Sequence, residues 1–123
     1  MATINLYKNA KAILRGETTI YTSPISGTSI IKSIRVSNND ETNDRVVSLS
    51  ITDANSVVYI LEVGRTIQSK TSQELLASGN LDQNTADSST SSTAPIILQS
   101  SEILKATSTG SDIHLVASIL EMI

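Results

Sequence analysis

With 123 residues, 39% of them apolar, and a formal charge of −3, the chain has material for one core and lacks the dense positive field that selects phosphate backbones, so nucleic-acid binding is not expected. It has no cysteine, no Phe or Trp and only three Tyr, which removes disulfides, thiolate metal sites and cysteine nucleophiles and leaves an aliphatic core. No apolar run near the start reaches secretory or membrane-spanning length, so no membrane contact is expected, and the protein is read as made and kept in a cytoplasm until it assembles.

Met1 to Gly16 carries Lys8, Lys11 and Arg15 among short apolar pieces. It reads as an N-terminal arm (1–16), solvated or docking on an acidic neighbour. Thr18 to Tyr21 begins the strands, and Ser23-Pro24-Ile25-Ser26-Gly27 is a turn, since Pro presets one dihedral and Gly permits a positive one. Ile30 to Ser37 follows, with Ile30, Ile34 and Val36 on one face and Ile31, Ser33, Arg35 and Ser37 on the other. Lys32 interrupts the alternation and is placed near a strand end.

After a polar link from Asn38 to Asp44, Val47, Leu49 and Ile51 alternate with Ser48, Ser50 and Thr52, the period of a half-buried strand. Asp53-Ala54-Asn55-Ser56 reads as a hairpin turn into Val57 to Val63, with Gly64 as the stop. Arg65 to Leu76 is assigned mostly to strand, with a helical turn at Ser72 to Leu76 as the alternative. Residues 78–94 hold little apolar surface beyond Leu81 and are expected to form a long, mobile Ser/Thr-rich loop. Pro95 to Leu98, Ile103 to Thr107 and Ile113 to Ile119 complete the strands, with a turn at Thr109-Gly110-Ser111 between the last two. Many short strands with turns between them predict a single all-β domain over 1–123, an antiparallel β-sandwich of jelly-roll or immunoglobulin-like type.

Chemistry is sparse. His114 is the sole histidine, and Asp112, two residues earlier, would share its face in a regular strand. With no Gly-x-Ser-x-Gly elbow to complete a triad, His114 is assigned to the surface and no catalytic residue is expected. The oxygen-rich runs Asn38, Asp40, Thr42, Asp44 and Asn80, Asp82, Asn84, Asp87 lack the Gly and Glu of a calcium loop and are read as turn composition, so no metal is expected. Glycines at 16, 27, 64, 79 and 110 are isolated, which gives no phosphate-cradling loop and no cofactor site.

Several segments resemble a type of small virion protein of tailed bacteriophages. These are Thr19 to Pro24 with the Gly27 turn, Ile30 to Asn38, Val46 to Thr52, Ile96 to Lys105 and the closing Ile113 to Glu121 strand. Many such proteins carry Gly-Asp where this chain has Ser100-Ser101. The resemblance implies a structural subunit of the virion in a head-decoration, neck or tail-accessory role, with other virion proteins as partners. A receptor- or glycan-binding module of a fibre is the alternative. The apolar residues left over from the one-face assignment, Ile31, Val46, Val58, Ile60, Val116 and Leu120, imply a homo-oligomer that covers part of the second face.

Overall fold

β-Branched and aliphatic residues alternating with Ser and Thr favour extended backbone. In the computed structural model, which describes residues 5–76 and 95–123, they form seven antiparallel strands and no helix among the described residues. These are β1 (Asn5–Thr22), β2 (Thr28–Asn38), β3 (Arg45–Thr52), β4 (Val58–Ile67), β5 (Ser72–Glu74), β6 (Ile96–Leu98) and β7 (Ile103–Met122). The expected loop over 78–94 lies outside the described residues.

β7 is the spine. Almost its whole length pairs with β1, while its first part pairs with β3 and its second with β2. The sheet order is β4-β3-β7-β2-β5, with β6 also on β2. Leu49, Leu104 and Ala106 from the β3 half join Ile31, Ile34, Val36 and Leu115 from the β2 half in one buried cluster. The sheet therefore curls so that its two halves face each other across an aliphatic core, in keeping with the expected all-β, sandwich-like architecture.

Four expectations change. Residues 5–16 are the first part of β1, bonded along β7, where the sequence suggested an arm. The turn expected at Thr109-Gly110-Ser111 is continuous strand. There β1 advances from Leu14 to Gly16 while β7 runs from Ile113 back to Ser108, so β7 carries extra residues. This irregularity switches the buried set from Leu104, Ala106 and Ser108 to Ile113, Leu115, Ala117 and Ile119. The local alternation on either side of Gly110 is as expected, but the link between the two runs is a bulge.

Lys32 likewise marks a bulge and not a strand end: β2 and β7 slip register between Ile31 and Ser33. Ile31 consequently joins Ile34 and Val36 in the core, and Ile30 is only half-buried. Gly64 does not stop its strand, since β4 continues to Ile67 and Gly64, at φ +68°, accommodates a register shift against Val47 and Leu49.

Candidate interaction surfaces

Asp112 and His114 are close together on β7, but the carboxylate of Asp112 is taken by Arg45. Arg45 Nη2 lies 3.1 Å from Asp112 and 2.7 Å from Asp40. Its guanidinium packs over Gly110, where an added Cβ would come within 2.6 Å of it, so a side chain at this point of the bulge would push Arg45 away from Asp40 and Asp112. His114 is exposed on the outer face, paired with Ile13 of β1 and Ser37 of β2.

The oxygens of the Asn38–Asp44 link are spent on backbone. Asp40 Oδ1 accepts from the amides of Thr42 and Asn43, both at 2.8 Å, and Oδ2 receives Arg45. Those amide bonds, with the Asn43 and Arg45 side chains, hold the Asp40 carboxyl below the usual carboxylate range. Asn38 donates to the carbonyls of Asn43 and Ile67, and Asp44 accepts from the Ser69 amide. The link is a clamp between β2, β3 and β4. Among the described residues no cluster of three or more His, Cys, Asp or Glu could hold a metal ion. The second oxygen-rich run lies outside them.

A buried polar cluster that the sequence reading missed joins β1, β2 and β7. Glu121 is 3% exposed, receives the Tyr21 hydroxyl and is bridged by Lys8 at 3.2 Å. Ser29 hydrogen-bonds to Tyr21 at 2.9 Å and to Ser23 at 3.0 Å. Burial, then the bond to Glu121, pushes the Tyr21 phenol up to about 12. The period itself held the signal: Glu121 continues the odd-numbered series Ile113, Leu115, Ala117, Ile119 that faces the core.

Of the three basic residues, Lys8 is therefore tied to Glu121. Lys11 and Arg15 are exposed on β1, alongside Tyr7 and Ile13 at odd positions of the strand, while Ala10, Ala12 and Leu14 turn inward.

The margin of the sheet formed by β4 is apolar. Val57, Val58, Tyr59, Ile60, Leu61 and Val63 are each between 43% and 79% exposed. Val58, Ile60 and Val63 form one wall of a 210 Å³ hollow that also involves Ser48, Ser50, Thr107 and Glu17. Of the six residues expected to be left over for a partner, Val46, Val58, Ile60 and Val116 are exposed and Leu120 is half-buried, whereas Ile31 is in the core.

No protein-family model and no curated protein matches the sequence. Among solved structures, a chain in the structure of infectious bursal disease virus, Gx strain, matches 98% of this chain with a TM-score of 0.51 and 9% identity. A pentameric capsid protein isolated from metagenomic phage sequences matches 95% of this chain with a TM-score of 0.36 and 19% identity. This chain spans 32% of the first protein's chain and 59% of the second's. The first likeness defines a class by fold: this is an all-β protein whose strands are arranged as in about a third of a chain of a virus.

Proposed function

We propose that this protein is a non-enzymatic structural subunit of a bacteriophage virion, assembled in the host cytoplasm, that works by self-association and by docking on neighbouring capsid, neck or tail proteins. The observation that carries the reading is the row of exposed apolar side chains from Val57 to Val63 on a terminal strand of the sheet. A monomer surface has little reason to keep such a row in water, whereas a subunit that is covered on assembly does. The fold shared with part of a virus chain supports the setting, and the resemblance of the strand and turn sequence to small tailed-phage virion proteins supports the phage.

Docking on a neighbouring virion protein is assigned to Lys11 and Arg15, whose charges favour an acidic surface, while Lys8 serves the Glu121 cluster. Mass spectrometry and an electron-microscopy map of purified particles test the function. The chain is expected at stoichiometric copy number with density for the curled sheet, and particles lacking it would refute the reading. Lys11→Glu with Arg15→Glu is expected to reduce incorporation most strongly at low salt, because exposed charges act through screened attraction.

A further inference from the structure

We infer that the outer face of the sheet across β1, β7 and β2 is a docking surface for an acidic segment of a different protein, with Lys11 and Arg35 as its charged flanks and Val116 between them. The inference rests on the docking part of the proposed function, extends it from one strand to three and adds the partner's chemistry.

The face follows from register. Lys11 of β1 stands directly opposite Val116 of β7, which on its other side stands opposite Arg35 of β2. Residues paired in this way project on one face, and their neighbours along the strands, Ala12, Leu115 and Val36, turn toward the core. The next row repeats the arrangement with Ile13, His114 and Ser37. Lys11, Ile13, Arg35, His114 and Val116 are all exposed. Between those of β1 and β7 the surface dips into an open hollow of 330 Å³.

Charge identifies what covers this face. Of the nine Lys and Arg in the chain, Lys8, Arg45, Arg65 and Lys105 are held by carboxylates. Lys11, Arg15, Lys32 and Arg35 form no ion pair among the described residues, and all four are exposed on β1 or β2. Lys70, also without one, stands apart in the turn before β5. The acids nearest the face are already engaged. Glu74, opposite Arg35 on β5, accepts from the Ser33 hydroxyl at 2.6 Å and from the amides of Ile34 and Leu76 at 2.7 and 3.2 Å, and Asp112 holds Arg45. A chain with a formal charge of −3 thus collects most of its uncompensated cations on one side, where they favour a neighbour that brings carboxylates.

Spacing selects a protein over other polyanions. Adjacent strands lie about 4.8 Å apart, so Lys11 and Arg35 stand about 10 Å apart at Cα, with an apolar side chain between them. Further along the same face Tyr7, Leu120, Ile30 and Ile97 form a row across β1, β7, β2 and β6. A phosphate backbone offers closely spaced charge and nothing apolar, whereas an acidic protein segment supplies carboxylates and apolar side chains together. A second copy packed face to face is disfavoured, because it would set the same cations against each other.

The test is binding of a dye-labelled peptide rich in Glu and Leu to the full chain. The comparison probes are the same peptide with Gln for Glu, a single-stranded DNA, and vesicles of phosphatidylserine and phosphatidylcholine. Anisotropy is expected to rise with the Glu peptide and not with its Gln form. Lys11→Gln with Arg35→Gln should weaken binding at least ~10-fold with an unchanged circular-dichroism spectrum, whereas Lys70→Glu, an equal change in net charge outside the face, should alter it less than about twofold. Either single Gln substitution replaces the pair if the pair lowers stability. Val116→Thr should weaken binding about threefold. Four results would overturn the inference: no binding of the Glu peptide, equal binding of the Gln form, tighter binding of the DNA or the vesicles, or equal losses for Lys70→Glu and the double variant. Peptide binding by a protein absent from particles would refute the virion function alone. A particle subunit whose double variant is incorporated as well as the wild type would refute this surface alone.

Discussion

Two of the strands at the margins of the curled sheet, β1 and β4, meet water differently. β1 exposes Lys11 and Arg15 with Tyr7 and Ile13, whereas Val57 to Leu61 is an unbroken exposed apolar stretch leading into and along β4. Lysine and arginine on an open strand resist indiscriminate pairing because a neighbour must strip water from each charge. β4 has no such charge until Glu62 and Arg65, which neutralise each other. The same architecture thus presents one charged margin and one apolar one. For a subunit that self-associates as proposed, the difference matters, since two adhesive margins would polymerise without limit.

The comparison breaks most visibly at the anchors. β1 has one buried side chain, Leu14, fully enclosed against the β7 strand. Leu14→Ala is expected to cost about 2–5 kcal/mol in urea unfolding, through lost burial and the cavity left behind. Ile60→Ala, at a side chain 64% exposed, is expected to change monomer stability by less than ~0.5 kcal/mol. If the two losses were similar, β4 would be covered within the monomer and the contrast between the boundaries would fail.

Next in size is the polar cluster that fastens β1 to β2 and β7. Glu121→Ala removes the acceptor of the Tyr21 hydroxyl and the partner of Lys8, at an expected cost of about 1–3 kcal/mol for the groups left unpaired. Its pH signature follows from the raised phenol. Tyr21 contributes stability that is fully present below its ordinary value of 10.0 and is lost as pH rises through about 12. Absorbance titration near 295 nm should show a late-ionising tyrosine that disappears in Tyr21→Phe, and Glu121→Ala should bring it back toward the ordinary range.

Period two makes the individual runs readable, including the odd-numbered buried series of β7 and the Asp53–Ser56 hairpin. It fails at bulges. One surplus residue inverts every side chain beyond it, and a single sequence offers no local sign separating a bulge from a strand end. Lys32, Gly64 and Gly110 accordingly read as ends or turns, although each lies inside a strand. The Glu121 cluster is legible in part, because its parity places a carboxylate on the core face. Its partners Tyr21, Ser29 and Lys8 come from two distant segments whose pairing no local pattern reveals. The basic residues stand out by charge alone, but only the register of β1 along β7 separates Lys8 from Lys11 and Arg15.

Removing the guard should reverse the behaviour of β1. Lys11→Val with Arg15→Val leaves every buried contact in place, so the unfolding midpoint should barely move. Light scattering should nevertheless show association beyond that of the wild type, growing with concentration, as β1 loses its charges. A double variant that associates no further than the wild type would mean that β1 is kept open by its shape rather than by its charges.

The smallest effect lies in the turn that delivers the chain into β4. Asp53 accepts the amide of Ser56 on its carbonyl at 3.0 Å and the amides of Asn55 and Val57 on its side chain at 2.9 and 3.0 Å. Ser56 sits at φ +65°, the left-handed position that follows a type I turn in a three-residue hairpin loop, where Gly is the usual occupant. A side chain there costs on the order of 1 kcal/mol in steric strain, partly offset because Gly also frees the unfolded chain. Ser56→Gly is therefore expected to raise stability by about 0.5 kcal/mol, read as a higher urea midpoint at unchanged slope. A fall in the midpoint would show instead that the Ser56 side chain holds the turn by more than its strain costs.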